Sequence, residues 1–472
     1  MALKLYNTMT RHVDEFRPLH DEQVGMYTCG PTVYNFAHIG NLRTYVFEDV
    51  LRRVLELCGY QVRHVMNVTD VGHLTSDADA GEDKMEAGAA REGKTVWEIA
   101  DHYYQAFRAD MAALRLHEPN VWCKATDHIK EQIELVRTLE EKGFTYVIDD
   151  GVYFDTSKLS DYGKLARLDI EGLRAGARID VVQGKRNPTD FALWKFSPKD
   201  KKRLMEWPSP WGTGFPGWHV ECSAMAMKYL GEQVDIHCGG IDHIAVHHTN
   251  EIAQSESATG RAWVNWWMHG EFLVMARTDD AGEAQKMSKS TGGFLRLATL
   301  IDRGYDPLVY RYFCLSAHYR AQLAFSWESL DAAGNAFERL RAKVLELRSG
   351  GGEGQVLKEH WDDFVTAVED DLNMPRALAS MWGLLKSDAA KADVWATLRR
   401  MDQVLGFDVE TLTERKVEMA DDLTAQVQKL IDERLAARKA KDFARADAVR
   451  KQLTDMGIEI KDTPQGTTWR KV

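Results

Sequence analysis

The sequence predicts an α/β protein: a parallel sheet of the nucleotide-binding type that an insertion splits, followed by helices and a small C-terminal unit. Residues 24–29, 42–58 and 61–69 have the patterns of strand, helix and strand, an order typical of a right-handed parallel unit. Residues 116–216 change to hairpin-like segments and turns, which indicates an insertion. Beyond residue 305 the pattern becomes helical. At 472 residues the chain is also too long for one core.

The early strand–helix–strand unit places polar residues at one edge of the predicted sheet. Cys29 follows the first strand, and Thr69 and Asp70 follow the second. A later strand, residues 233–237, leads into the polar run of residues 238–242. Because the carboxyl ends of parallel strands meet at the same edge of a sheet, we expect one crevice to collect all of these residues.

The remaining elements follow from local patterns. Residues 77–93, rich in Ala, Gly and charge, predict a surface segment that leads into a helix, and residues 151–154 predict a hairpin strand. Further on, residues 308–316 and 327–347 have helical periodicity, and a Gly-rich linker at residues 349–354 follows them. More helices and a small unit ending in Gly466-Thr467-Thr468-Trp469-Arg470 complete the chain.

Composition narrows the class of protein. Apolar residues make up 44% and charged residues 28%, as in ordinary soluble globular proteins. The six cysteines have no disulfide-scaffold rhythm, and no export signal or membrane span is evident, so we expect a cytoplasmic protein. The net charge of −12 excludes a chain that coats nucleic acid indiscriminately. Residues 429–472 nevertheless carry eleven Lys or Arg against seven Asp or Glu, and residues 438–445 predict a basic helix.

Four side chains could hold a zinc ion. His247 and Glu251 are four residues apart in a predicted helix and share one face, while Cys222 lies upstream and Cys29 follows the first strand. Two thiolates, one imidazole and one carboxylate make a ligand set that zinc accepts. Spacing alone leaves the alternative open that the cysteines are buried apolar thiols, that His247 caps a helix and that Glu251 faces water.

Two further motifs could bind a polyphosphate. His38-Ile39-Gly40-Asn41 opens a helix directly after a strand, where backbone amides and the helix dipole favour an anion. His38 and Asn41 could donate hydrogen bonds to a phosphate, and Gly40 would allow the nucleotide a close approach. Far downstream, Lys286-Met287-Ser288-Lys289-Ser290 could close over the phosphates and stabilise the charge of a leaving group.

Together the two motifs resemble the signatures of class I aminoacyl-tRNA synthetases. The second is an intact match, whereas the first has Asn41 where the family usually has His. Around the four possible metal ligands, residues 28–34, 217–225 and 247–251 resemble cysteinyl-tRNA synthetases, in a divergent bacterial-type branch. The resemblance extends through residues 311–320 to the closing residues and so covers nearly the whole chain.

The chain departs from the usual family pattern in two places. After Asp70 the family commonly continues with a compact acidic-lysine segment, but here Val71-Gly72-His73-Leu74 intervenes before Asp83-Lys84-Met85. The usual Gly-Gly-x-Asp-Leu-x-Phe-Pro is Gly239-Gly240-Ile241-Asp242-His243-Ile244-Ala245-Val246 in this chain.

The resemblance implies an α/β fold with a Rossmann-like parallel sheet, an insertion, a helical bundle and an anticodon-binding domain. The implied segments are residues 1–115 and 217–270 for the two halves of the catalytic domain, 116–216 for the connective insertion, 271–320 for the Lys-Met-Ser-Lys-Ser loop and stem-contact region, 321–410 for the helical bundle and 411–472 for the anticodon-binding domain.

The resemblance also implies the chemistry. L-cysteine and ATP would give cysteinyl-adenylate and pyrophosphate, and the cysteine would pass to the 3′ end of tRNA(Cys). Zinc on Cys29, Cys222, His247 and Glu251 would select the substrate thiolate over the hydroxyl of serine. The remaining implied contacts are Gly30, Thr69, Trp218 and Asp242 for cysteine, Gly40, Lys286, Ser288 and Lys289 for ATP with Mg²⁺, and His38, Asn41, Lys286 and Lys289 for catalysis. The implied oligomeric state is a monomer.

Three other functions remain open from the sequence. The same core could join cysteine to an amino sugar or another amine, although such relatives usually lack an anticodon-reading end. A zinc hydrolase would leave the lysine–serine motif unexplained, and a zinc-stabilised RNA-binding protein without catalysis would leave both nucleotide motifs unexplained.

Overall fold

The structure, a computed structural model, describes most of the chain. The described residues are 2–72, 83–168, 184–198, 202–276, 285–286, 295–349, 353–414, 421–440, 442–463 and 466–471. They form two compact units, Met1–Thr413 and Glu414–Val472. None of the helices within these ranges has both the length and the apolar character needed to cross a membrane.

The helices and strands of the first unit fall into two runs. The first run is β1 (Lys4–Asn7), β2 (His12–Glu15), β3 (Gln23–Thr28), α1 (Ile39–Leu57), β4 (Gln61–Val68), α2 (Lys84–Glu92), α3 (Val96–Ala113), β5 (Val121–Lys124), α4 (Ile129–Glu141), β6 (Thr145–Ile148), β7 (Gly151–Phe154), β8 (Phe191–Phe196), β9 (Gly214–Pro216), α5 (Trp218–Leu230), β10 (Val234–Gly240), α6 (His247–Thr259) and β11 (Val264–Gly270). The second is β12 (Leu273–Met275), β13 (Gln285–Lys286), α7 (Leu297–Asp302), α8 (Pro307–Leu315), β14 (Leu323–Phe325), α9 (Trp327–Ser349), α10 (Lys358–Glu369), α11 (Met374–Leu385) and α12 (Lys391–Leu405).

A five-stranded sheet organises the first unit, in the order β11-β10-β3-β4-β5. All four neighbouring pairs are parallel, as the strand–helix–strand pattern predicts. Connections through α1 and α3 build the sheet outward from β3 on one side, and the connection through α6 builds it outward from β10 on the other. The order therefore reverses between β3 and β10, where parallel α/β sheets open a ligand crevice.

The insertion forms a sheet of its own, β6-β7-β8-β9, with antiparallel pairing throughout. Its buried side chains, including Phe154 and Trp194, share one apolar cluster with Val220 of α5 and Ala253 of α6. The insertion is thus packed against the two helices that carry three of the four predicted metal ligands.

Buried charges join the parallel sheet to the helices that follow it. Asp49 of α1 accepts hydrogen bonds from Arg53 Nε and Arg311 Nη2, each at 2.7 Å. Arg311 also donates to the carbonyl oxygens of Leu405 and Leu114, at 2.7 and 3.1 Å. Since Arg311 is fully buried on α8, this ion-pair cluster fixes α1 against α8, the end of α3 and the end of α12.

The second unit contains α13 (Asp421–Lys439), α14 (Phe443–Asp455), β15 (Ile458–Thr463) and β16 (Gly466–Lys471). The two strands pair as an antiparallel hairpin, and Val427, Val449, Leu453 and Ile458 form a core with the helices. The prediction of one helix over residues 438–445 is wrong, because α13 ends at Lys439 and Asp442 caps the start of α14.

Candidate active site and metal centre

The crevice at the switch between β3 and β10 is lined from both sides by predicted site residues. Cys29 follows β3, and its amide donates to the carbonyl oxygen of Cys238 in β10 at 3.2 Å. Gly30, His38, Asn41 and Asp242 line the same crevice. Of the residues predicted at this edge of the sheet, Cys29, Gly240 and Asp242 line the crevice, whereas Thr69 and Asp70 are buried outside its lining.

The four predicted metal ligands come together beside this crevice. One ligand atom from each of Cys29, Cys222, His247 and Glu251 lies within 4.8 Å of all the others, and all four residues are buried. His247 and Glu251 are one turn apart on α6, and α5 brings Cys222 to them. This first set offers two sulfurs, one nitrogen and one oxygen, all of them donor atoms that zinc accepts.

Glu251 provides a test of whether a metal ion fits. Its Oε1 is buried without a hydrogen bond, although His247 Nε2 lies 2.7 Å from it. Its Oε2 is 2.7 Å from Nε2 of His237, to which it is hydrogen-bonded. A buried carboxylate within 4.8 Å of two sulfurs and an imidazole is suited to a cation, so the residues fit a metal ion.

The predicted metal ligands shift one another's pKa values. Burial opposes ionisation, but His237 and His247 outweigh it and hold the pKa of Glu251 well below its ordinary value. Burial likewise opposes a charge on His247, but Glu251 and Cys222 raise its pKa to about 10. A hydrogen bond from Cys29 lowers the pKa of Cys222, whereas burial raises that of Cys29. The lowered pKa values of Glu251 and Cys222 favour their ionised forms, which are the forms that bind a cation.

Three of the predicted substrate contacts have defined neighbours within the protein. These residues are Trp218, Thr69 and Gly30. The ring of Trp218 lies 4.6 Å from that of His247, between centroids. The hydroxyl of Thr69 is buried and donates to Glu221 Oε2 at 3.1 Å. Gly30 donates its amide to Asn67 Oδ1 at 2.8 Å.

At the other end of the crevice, His38 caps the start of α1. Nδ1 of His38 accepts from the amide of Asn41 at 3.0 Å, and Oδ1 of Asn41 accepts from the amide of His38 at 3.2 Å. This reciprocal capping box starts the helix three residues before the predicted start at residue 42. It also explains how Asn can serve at position 41, because the contact uses its amide oxygen.

The lysine–serine motif is described only at its first residue. The backbone of Lys286 belongs to β13 and pairs with Val274 in β12. Ser288 and Lys289 lie outside the described residues, as does the segment from His73 that departs from the family pattern.

Sequence reasoning missed three histidines around the metal ligands. Nδ1 of His219 lies 2.9 Å from Nδ1 of His247, and His237 and His248 are buried beside Glu251 and Cys29. The adjacency of His248 to His247 and the position of His237 in the predicted strand were available signals. Neither signal identifies a contact, because the side of β10 on which His237 lies, and the groups that His248 meets, depend on how β10 and α6 pack together.

The backbone at position 30 lies so close to that of Asn67 that only glycine fits there. A Cβ at this position would lie 1.7 Å from the carbonyl oxygen of Asn67 and 2.9 Å from Met66 Cγ. We expect Gly30→Ala to lower the free energy of unfolding by about 1–3 kcal/mol or more, since backbone must move. Gly383→Ala is the matched control: with open space around it inside α11, it should raise that free energy by about 0.5–1 kcal/mol. Urea denaturation measures both, and equal effects would contradict the prediction.

Comparison with known proteins decides the family. A family model described as "tRNA synthetases class I (C) catalytic domain" matches residues 15–335, and one described as "Cysteinyl-tRNA ligase anticodon binding domain" matches residues 420–470. "Cysteine--tRNA ligase 1" of Burkholderia lata is 55% identical over 466 residues, which are 99% of this chain and 96% of the relative. The cysteine–tRNA ligase of Treponema denticola is 46% identical over 501 residues and covers 100% of both chains. The chain belongs to the cysteine–tRNA ligase family.

Solved structures agree with the fold of this family. Mycobacterium tuberculosis methionyl-tRNA synthetase, bound by methionyl-adenylate, matches with a TM-score of 0.53 and 18% identity over 82% of this chain and 90% of the other. LeuRS from Agrobacterium radiobacter K84, in a ternary complex with tRNA and LeuAMS, gives 0.58 and 11% over 85% and 87%. These likenesses confirm the predicted α/β synthetase fold.

As a member of this family, the chain is a class I aminoacyl-tRNA synthetase, and its substrates are those of the class: an amino acid, ATP and tRNA. Ligation of cysteine to an amine is not favoured. Residues 420–470 match an anticodon-binding domain, and such a domain serves tRNA recognition.

Proposed function

We propose that the first set, Cys29, Cys222, His247 and Glu251, holds one zinc ion per chain that selects cysteine. The buried convergence of their ligand atoms within 4.8 Å carries this proposal. A zinc ion supplies there a Lewis-acidic partner for the substrate thiolate, which the hydroxyl of serine matches poorly because it is harder to ionise. No separate editing site is then needed for serine.

The protein's own side chains position the rest of the amino acid. Asp242 is exposed at the crevice, directly after β10, and a carboxylate there suits the substrate ammonium. Trp218 packs over His247 and restricts the space beside that imidazole. Thr69 is proposed to act indirectly, by positioning α5. Its hydroxyl donates a hydrogen bond to Glu221, which is buried in α5 one residue before Cys222.

The start of α1 is proposed to bind ATP. The capping box between His38 and Asn41 fixes the first turn, and the helix dipole favours the phosphates there. Gly40 lies in the same turn and leaves room for the nucleotide. Lys286, Ser288 and Lys289 would stabilise the charge on the pyrophosphate as the cysteine carboxylate attacks the α-phosphate, with Mg²⁺ on the phosphates.

The acceptor is proposed to be tRNA(Cys), recognised in part by the C-terminal unit. The surplus of four positive charges over residues 429–472 supports contact with an RNA backbone.

Six cysteines without disulfides support a reducing, cytoplasmic setting. The enzyme is proposed to act as a monomer. The six segments set out from the sequence are proposed as its domains, except that residues 121–124 of the insertion belong to the parallel sheet, where β5 pairs with β4.

Transfer of labelled cysteine to tRNA tests the function. We expect acid-precipitable label to appear with ATP and Mg²⁺, to fall by at least about tenfold after zinc is stripped by a chelator, and to return when zinc is restored. Protein stripped and then re-supplied with zinc is the control for damage by the chelator. Cysteine-dependent pyrophosphate exchange without label on tRNA would overturn the proposed acceptor, and charging unaffected by metal removal would overturn the role of zinc.

A further inference from the structure

A second group of four ligands overlaps the first. One ligand atom each from Cys29, His237, His248 and Glu251 lies within 4.8 Å of the others, and all four residues are buried. We propose that this second set is a metal position in its own right, which shares Cys29 and Glu251 with the first set and suits a divalent transition ion. The proposal goes beyond zinc selection, and it rests on the proposed function only through the two shared ligands.

Glu251 is placed to serve both positions. Its Oε1 lies 2.7 Å from Nε2 of His247, which belongs to the first set, and its Oε2 lies 2.7 Å from Nε2 of His237, which belongs to the second. A carboxylate with one oxygen toward each of two imidazoles has the arrangement of a bridging ligand. Carboxylates of this kind hold paired metal ions about 3.5–4 Å apart in two-metal sites.

Cys29 is the second shared ligand. Its Sγ lies 3.4 Å from Nε2 of His248, and it also forms a hydrogen bond with Cys222 of the first set. The sulfur therefore contacts a ligand from each set. With one thiolate, one carboxylate and two imidazoles, the second set offers donors that Zn²⁺ and Co²⁺ both accept.

Neighbouring groups orient the two additional imidazoles. Nδ1 of His248 lies 2.8 Å from Nε2 of His269, whose Nδ1 lies 2.8 Å from the hydroxyl of Thr8. Nδ1 of His237 is 3.3 Å from the carbonyl oxygen of Cys238, and its ring stacks on Trp267 at 4.8 Å. In both residues Nδ1 is held from outside and Nε2 faces the shared ligands, as in histidines that bind metal through Nε2.

Cobalt binding to a protein without the first set tests the proposal. The full chain carrying Cys222→Ser and His247→Asn is stripped with a chelator and titrated with Co²⁺. We expect about one bound ion per chain with a near-ultraviolet sulfur-to-cobalt band, because Cys29 remains as a thiolate ligand. Adding His237→Asn should abolish binding. Adding His219→Asn instead is the matched control: this buried histidine belongs to neither set, so the ion should stay.

Absence of bound Co²⁺ in the folded double variant, or binding that His237→Asn leaves unchanged, would overturn the second position. If circular dichroism shows that the double variant does not fold, titration of the unmodified protein decides. A second equivalent that His237→Asn removes supports the proposal, and saturation at one equivalent overturns it. Cysteine-dependent pyrophosphate exchange, measured separately with one equivalent of zinc, tests the proposed function without reference to the second position.

Discussion

Cys222→Ser is expected to lower kcat/KM for cysteine in ATP–pyrophosphate exchange by more than about 100-fold, since loss of even an outer-shell partner typically costs 10- to 100-fold. The hydrogen bond from Cys29 lowers the pKa of Cys222, which favours the thiolate that a metal ion requires. A serine hydroxyl stays neutral at this position and removes one of the two sulfurs. The preference for cysteine over serine should fall together with kcat/KM, because the metal ion that would bind the substrate thiolate is lost.

Cys123→Ser is the matched control for this change. Cys123 is equally buried, and its thiol donates to the carbonyl oxygen of Met66 at 3.5 Å, a contact that a hydroxyl can keep. It belongs to neither ligand set, so kcat/KM should stay within about twofold of the unchanged enzyme, as should KM for ATP in both variants. Activity of Cys222→Ser within tenfold of Cys123→Ser would contradict the proposed role of the first set.

Local patterns were sufficient for the elements that position the site. The spacing of His247 and Glu251 predicts their common face on α6, and the strand–helix–strand order predicts the parallel sheet with Cys29 at its carboxyl edge. These predictions hold because the helical repeat and the handedness of parallel connections depend on neighbouring residues alone.

Contacts between distant segments were beyond such reasoning. Cys222 joins the ligand set only because α5 packs beside α6. Residue types and spacing suggested this set but left it open, and the family resemblance was needed to favour it. His237 and His248 were missed because their facing depends on tertiary packing. The predicted helix over residues 438–445 failed for a local reason, because Asp442 accepts a hydrogen bond from the amide of Arg445 and so caps a new helix.

Asp49→Asn is expected to lower the free energy of unfolding by about 3–5 kcal/mol, the cost of removing one partner from a buried ion pair. Oδ1 of Asp49 accepts from the amide of His117 at 2.8 Å, and Oδ2 accepts from Arg53 and Arg311. An asparagine cannot neutralise the two guanidinium groups, and Arg311 is fully buried. Because α1 also begins the crevice at His38, some loss of activity should accompany the loss of stability. Urea denaturation followed by circular dichroism measures the change.

The pH dependence separates this ion pair from simple packing. Burial raises the pKa of Asp49, but Arg311 and Arg53 outweigh it and hold the value below that of an unfolded aspartate, about 3.9. Its stabilisation is therefore complete above that pH and declines as the pH falls below it, so the difference between Asp49→Asn and the unchanged protein should shrink in acid. Glu410→Gln, which breaks an exposed pair with Arg399, is the control and should cost less than about 1 kcal/mol. A constant difference down to acid pH would show that Asp49 acts through its shape rather than its charge.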